Sequence, residues 1–165
     1  MGTPRAQRSG RRGATLTVST VPTKVARQQI ASLRGKAKAS FLLAIQDIRR
    51  RGCSAAGVRL AGEAVHGVCR LDLYGAWRLL TVFETPDRCV LLLVGEHTRS
   101  ASPYRLLYAA LGIDEPEEPR TKPSCCDAER QAPVDPDLAE RFERGLRDLG
   151  RALPASAKTP SHRRR

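Results

Sequence analysis

The stretch Gly67-Val68-Cys69-Arg70-Leu71-Asp72-Leu73-Tyr74-Gly75-Ala76-Trp77-Arg78-Leu79-Leu80 reads as two strands and the turn between them. Its period is two: Cys69, Leu71 and Leu73 share one face, and Arg70, Asp72 and Tyr74 share the other. Past the turn, Trp77, Leu79, Thr81 and Phe83 alternate with Arg78, Leu80 and Val82. A hairpin centred on Gly75 sets Asp72 directly across from Arg78, close enough for a cross-strand ion pair. A third segment of the same period, 89–94, follows the turn Thr85-Pro86-Asp87-Arg88. The spacing therefore predicts an antiparallel meander over 68–74, 76–84 and 89–94.

Upstream the period changes. Ile30, Leu33, Ala37, Phe41, Ile45 and Ile48 recur every three or four residues, which lines one helical face. Gly35 divides the run, so a helical hairpin is expected over 24–32 and 36–51, with Thr23 as N-cap and Gly52 as a left-handed C-cap. Arg49, Arg50 and Arg51 then occupy the last turn, where cations meet the negative end of the helix dipole. Before the hairpin, 16–19 alternates as a half-buried strand and Pro22 supplies a turn. Downstream, Ser102-Pro103 opens a short helix carrying Tyr104, Leu107, Tyr108 and Leu111, and Gly112 stops it. A final helix is expected from Asp135 as cap, with a single stripe of Leu138, Phe142, Leu146, Leu149 and Leu153. The fold class is α+β: a helical hairpin packed on a twisted antiparallel sheet of about four strands, with an extra C-terminal helix.

Charge divides the 165 residues into regions. A basic arm at 1–13 and a basic tail within 154–165 contribute +8 of the net +12 and read as disordered ends. The domain at 14–113 carries +8 by itself, and the segment 114–157 carries −4, comprising a Pro- and Glu-rich linker at 114–134 and the whole of the helix at 135–153. A basic folded core is the usual footprint of a polyanion partner, because neutralising phosphates releases condensed counterions. Arg-rich ends alone can serve only solubility.

Cys53, Cys69, Cys89, Cys125 and Cys126 form no CxxC pair and no apolar signal segment opens the chain, so a reduced cytoplasm is the expected compartment. No second spaced pair supports a metal site built from His66, Cys69, Cys125 and Cys126, and no metal or cofactor is expected. The longest apolar run is far too short to span a bilayer, so no membrane partner is expected.

The 67–80 string resembles the paired central strands of the RelE/ParE superfamily of bacterial type II toxin–antitoxin toxins, with Trp77-Arg78-Leu79 where that family has Tyr-Arg-Leu or Tyr-Arg-Val. Val94-Gly95-Glu96-His97-Thr98-Arg99, followed by Tyr104, is similar to the end of its last strand, and the order of elements matches over about 100 residues. The resemblance implies a cognate antitoxin as partner. For the ribonuclease branch it further implies mRNA on the ribosome as substrate, cut by attack of the ribose 2′-hydroxyl. That chemistry needs a base, an acid and cations on the phosphorus oxygens. By position Arg78 would stabilise the phosphate, His97 would act as general acid or base, and Tyr104 would stack or position; Arg70 and Arg99 would bind RNA.

Each residue also has a plainer role open to it. Arg78 can be a strand residue paired with Asp72, His97 a surface histidine, and Tyr104 part of the stripe with Leu107 and Leu111. Asp72 stands where some family members have a second cation, and it can act as a base or hold Arg78 away from phosphate. Two other functions stay open: a ParE-like toxin that inhibits DNA gyrase by binding, and a non-catalytic RNA- or DNA-binding module. The acidic C-terminal helix either folds back over the basic sheet, as antitoxin segments do in the family, or completes the core.

Overall fold

The computed structural model describes residues 17–98, 102–117 and 121–152. The basic arm at 1–13, Arg99 and the tail from 154 lie outside the described residues. Five strands form one sheet in the order β1-β5-β4-β3-β2, where β1 is Ser19–Pro22, β2 Val58–Arg59, β3 Val68–Asp72, β4 Trp77–Thr85 and β5 Arg88–Glu96. β3, β4 and β5 are the expected antiparallel meander, with Asp72 paired to Arg78 as the hairpin reading requires.

The sheet departs from the expected one at both edges. β1 begins at Ser19, at the end of the expected 16–19 strand of which Leu16 lies outside the described residues, and it runs parallel to β5, so Pro22 ends the strand instead of turning it. An edge strand bonds on one side only and tolerates a residue without an N–H. β2 adds a fifth strand of two residues, Val58 opposite Arg70 and Arg59 opposite Cys69. So short a strand has no period to read.

The helices follow from their caps. α1 spans Lys24–Ser32 behind Thr23, whose hydroxyl accepts from Ala26 N at 3.1 Å and donates to Leu92 O at 2.8 Å, tying the helix start to β5. α2 spans Gly35–Arg51 and ends at Gly52, whose φ of +57° is positive as expected but whose ψ of −137° differs from the left-handed helical cap expected there. Leu33, Ala37, Phe41, Ile45 and Ile48 bury against Leu71, Leu79, Phe83 and Leu91 on one sheet face. α3 spans Pro103–Leu111, capped by Ser102 and stopped at Gly112.

α4 spans Leu138–Ala152, and Asp135 caps it by accepting from Leu138 N at 3.1 Å. Leu138 and Phe142 are fully buried with Leu107, Leu80, Val82 and Leu92 on the second sheet face. Burying a side chain of that size contributes about 1.5–3 kcal/mol. The C-terminal helix thus completes the core, and in doing so it lies over the second face of the sheet.

The linker is a strap. Ser124 bridges Val58, Arg59 N donates to Pro123 O at 2.9 Å, and the vicinal cysteines diverge to two partners. Cys125 is bonded to Cys69 on β3 and Cys126 to Cys53 in the 3-10 turn Gly52–Ala55, each with Cα atoms 5.6 Å apart. This corrects the expectation of five reduced thiols. The two cysteines lie in a bend just after the bridge residue Ser124, and from there one pair of neighbours reaches two elements. Cys89 alone is unpaired; it is buried, and burial pushes its thiol up to about 12. Among the described residues no helix is long and apolar enough to cross a membrane.

Candidate functional site

The β3–β4 hairpin sets the first part of the site. Asp72 Oδ1 lies 3.0 Å from Arg78 Nε and 3.0 Å from Arg70 Nε, and Asp72 Oδ2 accepts from Arg70 Nη2 at 3.1 Å. One carboxylate therefore bridges two guanidinium groups. The Arg70 Nε contact has ion-pair distance without hydrogen-bond direction. Both arginine side chains are about a fifth exposed, at 23% and 21%, whereas Asp72 is 55% exposed. Arg78 Nη1 also donates to Gly75 O at 3.0 Å and Trp77 O at 2.8 Å, so this guanidinium is held by its own hairpin.

α3 delivers the second part. Tyr104 sits in its first turn, and its ring is buried at 8% exposure, so the core reading of this residue is correct. The same ring also belongs to the polar cluster. Burial raises the phenol above its ordinary range, the Arg70 guanidinium by charge and contact and Arg78 by charge pull it back, and Asp72 pushes it up again. Tyr104 Oη meets Arg70 off the hydrogen-bonding direction and has no well-directed partner among the described residues. The hydroxyl is shut off from solvent, so the group it acts on is the Arg70 guanidinium beside it.

His97 completes the cluster from the end of β5. Its N–H donates to Ala76 O at 2.8 Å, which pins it beside the hairpin turn. Its ring stands edge-on to Tyr104, centroids 5.0 Å apart and planes at 89°, with Nδ1 3.1 Å from Ser102 Oγ. The ring is exposed and borders an open recess of about 440 Å³ lined also by Thr98, Ser102, Arg105 and Glu115.

Four of the five expected site residues, Arg70, Arg78, His97 and Tyr104, thus come together from β3, β4, the end of β5 and α3. Arg99 lies outside the described residues. Ser102 went unanticipated as a site residue: it caps α3 and meets His97 at once. Its signal was the Ser-Pro pair, which announces a cap and nothing about a histidine. Chemically the cluster offers two cations, an exposed imidazole, a buried phenol and a bridging carboxylate.

No family model matches this chain, and no curated protein matches it either. A solved structure does: a chain in the crystal structure of the toxin–antitoxin complex RelBE2 from Mycobacterium tuberculosis is 21% identical, covering 49% of this chain and 99% of that one with a TM-score of 0.37. At that level the likeness assigns no role to any residue here.

Proposed function

We propose that the chain is the toxin of a type II toxin–antitoxin pair and that it cleaves mRNA on the ribosome. The supporting observation is the convergence of Arg70, Arg78, Tyr104 and His97 on one surface. In this reading His97 removes the proton of a ribose 2′-hydroxyl; the 2′ oxygen then bonds to phosphorus and the bond to the 5′ oxygen breaks. A proton from solvent water goes to the 5′ oxygen, leaving a 2′,3′-cyclic phosphate and a 5′-hydroxyl, and the imidazolium of His97 returns its proton to solvent. Arg70 and Arg78 stabilise the charge on the non-bridging oxygens, where a planar guanidinium matches the phosphate. Tyr104 positions Arg70, whose guanidinium lies against the buried phenol.

One observation favours a second reading. Arg78 is engaged by Asp72 and by two hairpin carbonyls, which suits a binding-only toxin of the gyrase-inhibiting kind. Controlled expression in bacteria separates the two. Translation that stops before replication, with no DNA breaks, is the expected result. Replication arrest with DNA breaks and intact mRNA assigns the second reading, and unimpeded growth without an antitoxin removes the toxin reading itself.

A further inference from the structure

We propose that Tyr74, with Lys36 over its ring, is a stacking platform for single-stranded RNA that continues from the Arg70, Asp72 and Arg78 cluster around the open edge of β3. The inference rests on the RNA-directed function proposed above. Tyr74 is 53% exposed in a turn whose conformation is supplied by Gly75 at φ +62°, so the fold does not require an aromatic there. Its backbone is nevertheless held firmly: Tyr74 N donates to Ser40 Oγ at 3.0 Å on α2, and Tyr74 O accepts from Trp77 N at 3.2 Å. Lys36 Nζ lies 5.2 Å from the centroid of this half-exposed ring, a cation over its face. A rigid, exposed ring with a cation beside it is what a strand of unpaired bases uses, because every base has a π-face.

The surroundings give the strand a path. β2 ends after two residues, so β3 is uncovered from Leu71 onward, and a groove of about 430 Å³ lined by Ser40, Leu43, Asp47, Arg70 and Asp72 runs along it. Charge gives the path a direction. The hairpin layer 24–51 carries eight exposed Lys and Arg against one acid, Asp47, which is itself paired with Arg50 and Arg51. The described parts of 102–152 carry seven basic and ten acidic residues. A polyanion leaving the candidate site is therefore drawn toward the hairpin layer, and Tyr74 stands at the crossing.

The test is fluorescence anisotropy of the full chain with a labelled single-stranded RNA of mixed sequence and with the same RNA as a duplex. Tyr74→Ala should weaken single-strand binding about tenfold, roughly 1.4 kcal/mol, toward the lower end of one lost base–aromatic stack. Duplex binding should not change, and Tyr74→Phe should bind as wild type. Wild-type affinity in Tyr74→Ala, beside a loss in Arg70→Ala or Arg78→Ala, overturns the platform and leaves the RNA reading standing. Equal losses on single strand and duplex overturn stacking in favour of general electrostatics. A wild-type chain that binds neither RNA overturns both readings.

Discussion

Asp72→Asn is the substitution whose outcome the site geometry determines most closely. The carboxylate bridges Arg70 and Arg78 at 3.0 Å each and is 55% exposed, so solvent screens both pairs. Each such pair is worth about 0–1 kcal/mol, and the variant should lose little stability. Its effect on RNA should be larger and opposite in sign. A phosphate seated on either arginine stands about 5 Å from the carboxylate, and an effective dielectric of 40–80 gives a repulsion of about 1–2 kcal/mol. Removing the charge should tighten RNA binding roughly fivefold to thirtyfold. Each arginine freed to neutralise a phosphate should also steepen the plot of log affinity against log salt by about 0.7 for a single strand. Anisotropy titrations over a salt series measure both quantities. Unchanged affinity with an unchanged slope would refute the idea that Asp72 restrains these cations.

Three other expectations follow from the core. Thiol counting by alkylation and mass spectrometry should find no reactive cysteine in the native oxidised chain, one on unfolding, and four more after reduction by a dithiol, because two disulfides leave only buried Cys89. Five thiols before reduction would contradict the strap. Gly145→Ala should lower stability by about 1–3 kcal/mol, since the added methyl lands on the carbonyl of Ala110 where α4 crosses α3; an unchanged melting temperature would contradict that packing. In alkaline solution the folded state holds the Cys89 thiol protonated from its ordinary 9.0 up to about 12. Folding then favours the protonated form, so this contribution is complete below pH 9.0 and is lost as pH rises toward 12. Urea midpoints of wild type should fall more steeply over that range than those of Cys89→Ala, and parallel curves would count against a buried thiol.

The sequence carried most clearly what is local. Period two over 68–83 located β3 and β4 and placed Asp72 opposite Arg78, and the 3.6 period with Thr23, Gly52, Ser102 and Gly112 located three helices and their ends. Hidden from that reading was everything set by contact between distant segments. Nothing near Ser19–Pro22 encodes that β1 runs parallel to β5, because that pairing is decided by where the hairpin crossover delivers the chain. Val58–Arg59 is too short to show alternation. The cysteines gave their number but not their partners, which lie 56 and 73 residues apart. For the site, matching by type gathered Arg70, Arg78, His97 and Tyr104, yet the edge-on contact of His97 with Tyr104 and the second role of Ser102 exist only once α3 has docked beside β5.

The chemistry of RNA ends tests the central proposal most directly. Wild type, Arg78→Ala and His97→Ala would be expressed under control in bacteria, with transcript ends mapped together with their end groups. New cuts are expected within translated regions for wild type, bearing 5′-hydroxyl and 2′,3′-cyclic phosphate ends, and both variants should lose them. Cuts that persist at full level in both variants would contradict the site, and arrest by wild type with no new ends would contradict the ribonuclease.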